Sequence, residues 1–294
     1  MAFQKLANLG VGRTFQGCCP KHGTFQIYYL VNPKTGEPIK ADLTCPKCRR
    51  EAQEAWNREH AAEIEAERQK VEEAARLERE KKEAAARQKA LEKALEQAAI
   101  PPEYAHATLD NYKPTTKQNA ESFRQAKLYA ENFGRVRQTG VGLFLYGKTG
   151  TGKSHISCSI LKSLLPDVDG VYCMTWQIIK AVKEAPIGSN PLKAFMEASF
   201  LVIDEIGVQS GSKFEESVLY PLIDTRCTYK RPTIFLSNVQ PDAKDPSFQG
   251  MTVRKVVGER IWDRIKQRSI FLRFDGESYR KRFNSVDDLL GSMS

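Results

Sequence analysis

The sequence predicts an α/β protein in which a mostly parallel sheet lies between helices, preceded by a small cysteine-rich segment and a long charged helix. Three observations predict this arrangement. Apolar, strand-like segments alternate with amphipathic helical segments over the last two thirds of the 294 residues, which is typical of a parallel sheet covered on both faces. Four of the seven cysteines lie within residues 18–48, and neither glycine nor proline occurs between Lys47 and Ile100.

Composition divides the chain into three zones, which we expect to be separate domains: residues 1–50, 51–99 and 100–294. The first zone holds eight Lys/Arg against two Asp/Glu, the second holds ten against thirteen, and the third carries most of the large apolar residues. Only the third zone can therefore build a sizeable core. The net charge of +9 favours a polyanionic partner, such as a nucleic acid or a nucleotide.

Compartment is indicated by two features of the sequence. No apolar run approaches the ~18 residues of a membrane-spanning helix, and the segment MAFQKLANLGVGRTF lacks the apolar core of a secretory signal. We therefore expect a cytoplasmic protein with no membrane partner. In a reducing compartment, clustered cysteines are typical of metal binding rather than of disulfides.

The middle zone, residues 51–99, is built of Ala, Glu, Lys, Arg and Gln, which form helices readily. It predicts one helix of about 50 residues, roughly 75 Å long at 1.5 Å per residue, that stops at Pro101–Pro102. Its large apolar residues follow no strict heptad, which favours a solvated spacer. The alternative is a coiled coil or a helix that docks on a partner. These apolar residues are Trp56, Ile64, Val71, Leu77, Leu91 and Leu95.

The third zone alternates strands and helices in chain order. The predicted strands are Val141–Tyr146, Gly170–Thr175, Phe200–Ile203, Thr233–Leu236 and Ile270–Phe274. The predicted helices are Ser154–Leu165, Phe214–Tyr229 and Val253–Arg268. The remaining cysteines, Cys158, Cys173 and Cys227, have apolar neighbours and are expected to be small core residues.

A phosphate-binding loop follows the first of these strands. The run Gly147–Ser154 fits G-x-x-x-x-G-K-[ST] and opens a helix, which is the context that this motif requires. Glycines let backbone N–H groups turn toward phosphate oxygens, and the helix N-terminus adds positive potential. Lys153 would contact the β- and γ-phosphates of ATP, or the β-phosphate of ADP, and Ser154 would ligate Mg²⁺. The full set of expected nucleotide contacts is Gly147, Lys148, Thr149, Gly150, Thr151, Gly152, Lys153, Ser154 and His155.

Polar residues end two further strands. Asp204 and Glu205 follow the apolar strand Phe200–Ile203, at the edge where a doubly wound sheet binds ligands. We expect Asp204 to hold Mg²⁺ and Glu205 to polarise the attacking water, which favours hydrolysis over transfer to an acceptor. Asn238 follows the strand Thr233–Leu236 and is expected to contact the γ-phosphate or its water.

The cysteine cluster has the spacing of a structural zinc site. Cys19-x-x-His22 mirrors Cys45-x-x-Cys48, and two chelating turns joined by a hairpin suit a tetrahedral metal. We select these four residues as Zn²⁺ ligands, with Cys18 as an alternative to Cys19 or His22. A set of free thiols or a redox pair is the alternative interpretation.

The strand before the phosphate-binding loop and the two strands that end in polar residues resemble those of the AAA+ branch of P-loop ATPases. Two segments near the end of the chain, Gly258–Arg264 and Phe274–Arg280, and two before the core, Ile100–Tyr104 and Leu109–Tyr112, narrow the resemblance to the DnaC/IstB-like group. This group contains the replicative-helicase loaders of bacteria and phages and the ATPase helpers of some transposons. The resemblance spans roughly residues 100–283.

The resemblance implies roles for particular residues. Arg264 would be an arginine finger that reaches a neighbouring subunit's γ-phosphate, with Arg260 as the alternative, and Arg280 would be the second sensor. Tyr104 and the Leu109–Tyr112 segment would lie near the adenine.

The resemblance also implies a DNA-binding element. It corresponds here to Trp176–Ser199, with Lys180, Lys183 and Lys193 as cations for single-stranded DNA. The alternative is an ordinary amphipathic helix over the sheet.

The N-terminal cysteines depart from the resemblance in part. Enteric loaders lack such a zinc ribbon, whereas other members, many of them phage-borne, begin with one and a charged helix. A ribbon at this position would dock a protein or, alternatively, read nucleic acid.

The resemblance implies an ATP-dependent loader that self-assembles, engages single-stranded DNA and delivers a DnaB-type replicative helicase. The first alternative is a transposition helper that binds duplex DNA and a transposase. The second is a nucleotide-gated adaptor with little turnover.

Overall fold

The computed structural model describes residues 11–31, 44–243 and 249–280. These residues fall into two compact units, one reaching Glu83 and the other beginning at Ala84. Among the described residues, no helix combines the length and the apolarity that crossing a membrane requires.

The first unit contains a β-hairpin made of the antiparallel strands β1 (Val11–Cys19) and β2 (Gly23–Val31). Its turn ends at Gly23, whose φ of +76° is a conformation that glycine adopts without strain. Because side chains alternate between the two faces of a strand, Cys19 and Cys18 differ in environment: Cys19 is buried and Cys18 is exposed.

The charged zone forms two consecutive helices, α1 (Pro46–Glu59) and α2 (Ala61–Gln97), instead of one. The separation falls at His60, whose ring stacks on the Trp56 ring with the centroids 4.3 Å apart. Nδ1 of that ring lies 2.9 Å from the Trp56 carbonyl oxygen. A side chain that competes for a helical carbonyl loosens the local turn. Helix α1 also begins at Pro46, earlier than predicted, because proline suits the first helical position.

A five-stranded parallel sheet forms the centre of the second unit and confirms the predicted fold class. In chain order its strands are β3 (Gly142–Gly147), β4 (Gly170–Met174), β5 (Phe200–Asp204), β6 (Thr233–Ser237) and β7 (Ser269–Phe274). In space the order is β4-β5-β6-β3-β7. The carboxyl ends of β5, β6 and β3 therefore lie side by side.

Helices cover both faces of this sheet. They are α3 (Lys117–Glu131), α4 (Phe133–Val136), α5 (Lys153–Leu164), α6 (Thr175–Lys183), α7 (Lys193–Glu197), α8 (Lys213–Thr228), α9 (Val253–Val257) and α10 (Glu259–Gln267). The core on one face contains α3, α4, α5 and the end of α2, and the core on the other contains α6, α8, α9 and α10. Successive residues of β3 alternate between them: Leu143 and Leu145 join the first core, and Phe144 joins the second.

The prediction of one helix over Val253–Arg268 is wrong. The segment forms two helices, α9 and α10, separated at Gly258. Gly258 has a φ of +85°, in the left-handed region that glycine tolerates and that interrupts a right-handed helix. A Cβ at this position would lie 3.3 Å from Glu216 Oε1, so the position is also tightly packed.

A fully buried arginine links α8 to the segment after α7. The Arg226 guanidinium donates hydrogen bonds to the carbonyls of Ala198 at 2.7 Å and of Phe195 and Pro232 at 2.8 Å each. It also donates to Thr233 Oγ1 at 2.8 Å. Burial lowers the pKa of this group to about 9. Neutral acceptors, rather than a carboxylate, therefore stabilise this buried cation.

Candidate nucleotide and metal sites

A cavity of about 500 Å³ lies at the carboxyl ends of β3, β5 and β6. The predicted residues Lys153, Asp204, Glu205, Asn238 and Arg280 all line it. The strand order explains this convergence, because β5 and β6 are neighbours and β6 pairs with β3. A crevice at the carboxyl edge of such a sheet is the usual ligand site of doubly wound folds.

The phosphate-binding loop connects β3 to α5 with the turns that its glycines allow. Gly152 has a φ of +92°, and a Cβ there would lie 2.4 Å from the Tyr112 ring, so only glycine fits. The Tyr112 hydroxyl donates to the Thr151 carbonyl at 3.0 Å and holds the loop from the side. The loop residues that line the cavity are Thr149, Gly150, Gly152, Lys153, Ser154 and His155, whereas Gly147, Lys148 and Thr151 form its far side.

The Lys153 amine lies inside the loop, where it donates to the carbonyls of Gly147 at 3.0 Å and Lys148 at 2.7 Å. Burial lowers the pKa of Lys153 to about 8, while the nearby carboxylate of Asp204 acts in the opposite direction. A buried ammonium with only carbonyl partners has strong residual attraction for an anion, which suits a phosphate site.

Asp204 joins the loop to β5. Its Oδ2 accepts hydrogen bonds from Ser154 Oγ at 2.8 Å and from the Tyr172 hydroxyl at 2.6 Å. Its Oδ1 accepts from the Glu205 backbone N–H at 2.7 Å. A hydroxyl and a carboxylate in contact at a helix N-terminus are the hard oxygen donors that Mg²⁺ prefers, so the residues fit this ion.

Glu205 and Asn238 are both exposed and line the same cavity. Glu205 has a φ of +58°, which is uncommon for a residue with a side chain. The hydrogen bond of its N–H to Asp204 supports this backbone conformation, which turns the chain sharply after β5. Both side chains can therefore reach a ligand in the cavity.

The three candidate arginines differ in position. Arg280 lines the cavity, whereas Arg260 and Arg264 lie on α10 outside it. Arg264 Nε lies 2.8 Å from Asp224 Oδ1 on α8, with 40% of the Arg264 side chain exposed. This carboxylate raises the pKa of Arg264. Neither α10 arginine lines the nucleotide cavity of its own chain, so a finger role would require a second subunit.

Aromatic residues also line the cavity, and two of them were expected near the adenine. Tyr104, Tyr112 and Tyr279 line it, and His155 also does so while its Nε2 lies 3.0 Å from the Thr108 carbonyl oxygen. The Tyr279 hydroxyl donates to the Lys113 carbonyl, and its backbone N–H donates to the Gly150 carbonyl at 2.8 Å. These contacts close the rim above the phosphate loop.

The segment Trp176–Ser199 contains the short helices α6 and α7. Lys180 Nζ lies 3.8 Å from Glu184 Oε1, and Lys183 Nζ lies 5.5 Å from the centre of the Phe214 ring. Lys193 is exposed at the start of α7. Helix α6 also packs Ile178 and Ile179 into the core, which is the behaviour of an amphipathic helix over the sheet.

The cysteine cluster is compact and lies entirely in the first unit. One ligand atom from each of Cys19, His22, Cys45 and Cys48 falls within 4.8 Å of all the others. His22 Nδ1 lies 3.3 Å from Cys48 Sγ and 3.7 Å from Cys19 Sγ and Cys45 Sγ. The exposed Cys18 is not among the ligand atoms that converge. Three sulfurs and one imidazole nitrogen at these separations fit Zn²⁺.

Backbone amides support the sulfur of Cys19. A hydrogen bond from the Lys21 N–H, with a smaller contribution from that of His22, lowers the pKa of Cys19 to about 6, although burial acts in the opposite direction. A thiol whose thiolate form is stabilised in this way is suited to metal binding.

Among the residues at these sites that were not predicted are Tyr172, whose hydroxyl reaches Asp204, and Glu51, which contacts His22. Tyr172 belongs to a predicted core strand, and nothing in the local sequence pattern distinguishes this residue from its core neighbours. Glu51 is one of thirteen acidic residues in its zone. The only available signal was that Glu51 follows Cys45 and Cys48 at intervals of three residues, which places all three on one side of a helix.

Comparisons with known proteins agree on a family. A family model described as IstB-like ATP binding protein matches residues 51–286. The replicative helicase loader DnaC of Escherichia coli strain K12 is 30% identical over 200 residues, which cover 65% of this chain and 76% of that protein. DnaC of Buchnera aphidicola subsp. Acyrthosiphon pisum is 28% identical over 200 residues, with the same two coverages. The crystal structure of the DnaC helicase loader aligns with a TM-score of 0.53 and 21% identity, covering 60% of this chain and all of that one.

Proposed function

This chain belongs to the family of IstB-like ATP-binding proteins, and we propose that it is an ATPase that delivers a replicative helicase to single-stranded DNA. The observation that carries the proposal is the 2.8 Å hydrogen bond between Ser154 and Asp204. It joins the phosphate loop to the acidic end of β5, and ATP hydrolysis needs both in one place. The similarity to DnaC, over 76% of that protein, supports the role of helicase loader.

Binding of ATP would use the phosphate loop and the start of α5. The Lys153 ammonium would exchange its two carbonyl partners for the β- and γ-phosphates, whose negative charge it meets in a buried setting. Ser154 and Asp204 would hold Mg²⁺, which when bound neutralises charge on the phosphate oxygens. Arg280, at the rim of the same cavity, would contact the phosphates from the opposite side.

Hydrolysis would use the two exposed side chains of the cavity. Glu205 would accept a proton from the attacking water, and Asn238 would orient that water or the γ-phosphate through its amide. Each extends from the end of a buried strand, so the protein core positions both residues.

Self-assembly would complete the site with Arg264 of a neighbouring subunit. In the single chain this guanidinium is paired with Asp224 through Nε, which leaves its terminal nitrogens available. A planar cation of this kind suits charge that is spread over several phosphate oxygens. Arg260, exposed on the same helix, is the alternative finger.

The cysteine cluster would be a structural zinc site at the head of the charged helices. Its four ligand atoms lie within 4.8 Å of one another and would supply the four donors of tetrahedral coordination, which would leave no ligand position for a substrate. We infer that this head docks on a protein partner, and nucleic acid is the alternative partner. The positive balance of residues 1–50 is compatible with both.

A transposition helper is the second candidate, favoured by the description of the matching family as IstB-like. The two functions differ in their partners, so co-purification separates them. Recovery of a helicase hexamer with the tagged full chain supports the loader. Assembly on duplex DNA without helicase binding supports the transposition helper and contradicts the loader.

Nucleotide turnover tests the ATPase itself. We expect hydrolysis of ATP–Mg²⁺ by the full chain to increase when helicase and single-stranded DNA are present together. The absence of ATP binding under these conditions would contradict both candidate functions. Tight binding without turnover would instead support a nucleotide-gated adaptor.

A further inference from the structure

Glu51 contacts the cysteine cluster but is not one of its four candidate metal ligands. It lies on α1, one turn beyond Cys48, and its Oε1 is 2.9 Å from His22 Nε2. Its Oε2 accepts a 2.6 Å hydrogen bond from Lys21 Nζ. The two carboxylate oxygens therefore hold two consecutive residues of the hairpin turn, 29 and 30 positions away in sequence.

The two nitrogens of the His22 ring face different partners. Nδ1 faces the three sulfurs, and Nε2 faces Glu51. A neutral imidazole can offer a lone pair on one nitrogen only while the other nitrogen carries the proton. A carboxylate at Nε2 selects the tautomer with the proton on Nε2, which leaves Nδ1 free to bind a metal.

We propose that Glu51 is the positioning residue of the zinc site, fixing both the tautomer and the orientation of the His22 ring. The proposal rests on the zinc site inferred above. Lys21 holds the second carboxylate oxygen and balances its charge. Cys45, Cys48 and Glu51 follow each other at intervals of three on one side of α1, so one helix supplies two ligands and the group that orients a third.

The start of α1 gives this arrangement a second consequence. The helix begins at Pro46, the side chain of its N-cap residue Cys45 makes no capping hydrogen bond, and its first turn holds no acidic residue. Metal ligation by Cys45 and Cys48, together with the Glu51 contacts, would take the place of that cap. Zinc binding and the ordering of the first turn of α1 are therefore coupled through the same three residues.

The test compares the Zn²⁺ affinity of full-length variants by competition with a chromophoric chelator. We expect Glu51→Ala to weaken binding by about 10- to 100-fold, the range typical of lost outer carboxylates. Glu51→Gln should lose less, because its amide oxygen can still accept from Nε2–H. The matched control is Glu54→Ala, which makes the same substitution on the same helix at a residue whose ion pair is with Arg50.

Further measurements distinguish a positioning role of Glu51 from a general effect on stability. In the zinc-loaded wild type, NMR of the His22 ring should report the tautomer with the proton on Nε2, and Glu51→Ala should lose the protection of that proton from exchange. Zn²⁺ affinity of Glu51→Ala equal to that of Glu54→Ala would overturn the role of Glu51 while leaving the zinc site intact. A wild-type chain that binds no stoichiometric Zn²⁺ would overturn the site and, with it, the role of Glu51.

Discussion

The Tyr172 hydroxyl donates a 2.6 Å hydrogen bond to Asp204 Oδ2, the same oxygen that accepts from Ser154. Tyr172 lies on β4 and is 3% exposed, and Asp204 ends the neighbouring strand β5. The backbone N–H of Glu205 holds the other carboxylate oxygen. Three donors from different parts of the fold thus fix the carboxylate proposed to bind Mg²⁺.

Replacing Tyr172 by phenylalanine should weaken the response to Mg²⁺. The substitution removes one hydrogen bond to a charged group, which contributes about 1.5–3 kcal/mol. We expect the Mg²⁺ concentration for half-maximal ATP hydrolysis to rise by about tenfold, measured in a Mg²⁺ titration at saturating ATP. The matched control is Tyr129→Phe, because the Tyr129 hydroxyl also donates a buried hydrogen bond, to the Val141 carbonyl, outside the cavity. Equal Mg²⁺ requirements in the two variants would contradict this role.

Replacing Lys153 by alanine should abolish nucleotide binding. The ammonium is the one buried cation of the phosphate loop among the described residues, and its loss removes the positive charge that lies inside the loop. Titration with a fluorescent ATP analogue measures the loss. Lys117→Ala, at an exposed lysine on α3, controls for the general change of charge. Wild-type affinity in Lys153→Ala would exclude this loop as the phosphate site.

Replacing Arg264 by alanine should spare ATP binding and remove stimulated hydrolysis. Arginine fingers contribute on the order of 10³-fold or more to turnover, and Arg264 lies outside the cavity of its own chain. The measurement is ATP turnover with helicase and single-stranded DNA present, with Arg260→Ala compared in parallel. Loss of turnover in Arg260→Ala alone would assign the finger to Arg260.

A mixing experiment tests whether Arg264 acts between subunits. The Lys153→Ala chain cannot bind ATP but carries Arg264, and the Arg264→Ala chain has the opposite defect. We expect mixed assemblies to regain turnover that neither variant has alone. If the mixture remains inactive although mixed assemblies form, Arg264 does not act in trans.

Replacing Arg226 by methionine should destabilise the second unit. Methionine fills similar space but leaves the carbonyls of Phe195, Ala198 and Pro232 without their donor in the core. We expect the free energy of unfolding to fall by about 3–5 kcal/mol, measured by urea denaturation. Arg231→Met is the control, because this partly exposed arginine donates to the Met196 carbonyl and lies over the Tyr229 ring, outside the buried set of carbonyls that Arg226 holds. An unchanged urea midpoint in Arg226→Met would disprove the role of these hydrogen bonds.

Removing zinc should loosen the first unit and leave nucleotide binding intact. All four ligands precede Glu83, and every residue that lines the nucleotide cavity follows Ala84. With a chelator present, we expect faster hydrogen exchange in the hairpin and at the start of α1, because metal binding and local folding are coupled. ATP affinity serves as the internal control. Unchanged exchange in the hairpin would show that no metal stabilises it.

Much of the second unit could be predicted because its signals are local. The apolar runs that became β3 to β7 need burial on both faces, and the phosphate loop is a contiguous motif. The break at Gly258 was missed because the hydrophobic pattern on either side of it keeps a helical period. The separation of α1 from α2 was missed because it depends on the packing of His60 against Trp56.

The residues of the candidate sites also divide into those that the sequence predicts and those that it does not. Lys153, Ser154, Asp204, Glu205 and Asn238 were chosen from the sequence, and they converge on one cavity because parallel strands joined by helices have their carboxyl ends at the same edge of the sheet. Their chemical roles stay predictions. The partner of Arg264, by contrast, could not be read from the sequence, because the contact with Asp224 depends on how α10 packs against α8.

The sequence by itself determined the parallel sheet, the phosphate loop and the two pairs of metal-ligand candidates, since each is encoded by residues a few positions apart. The tertiary structure alone decided that Cys19 rather than Cys18 joins the cluster, that Tyr172 reaches Asp204 and that Glu51 contacts His22. The physical reason is that these contacts join segments about 30 residues apart. Strand register and helix packing set their distances, and neither leaves a local pattern in the chain.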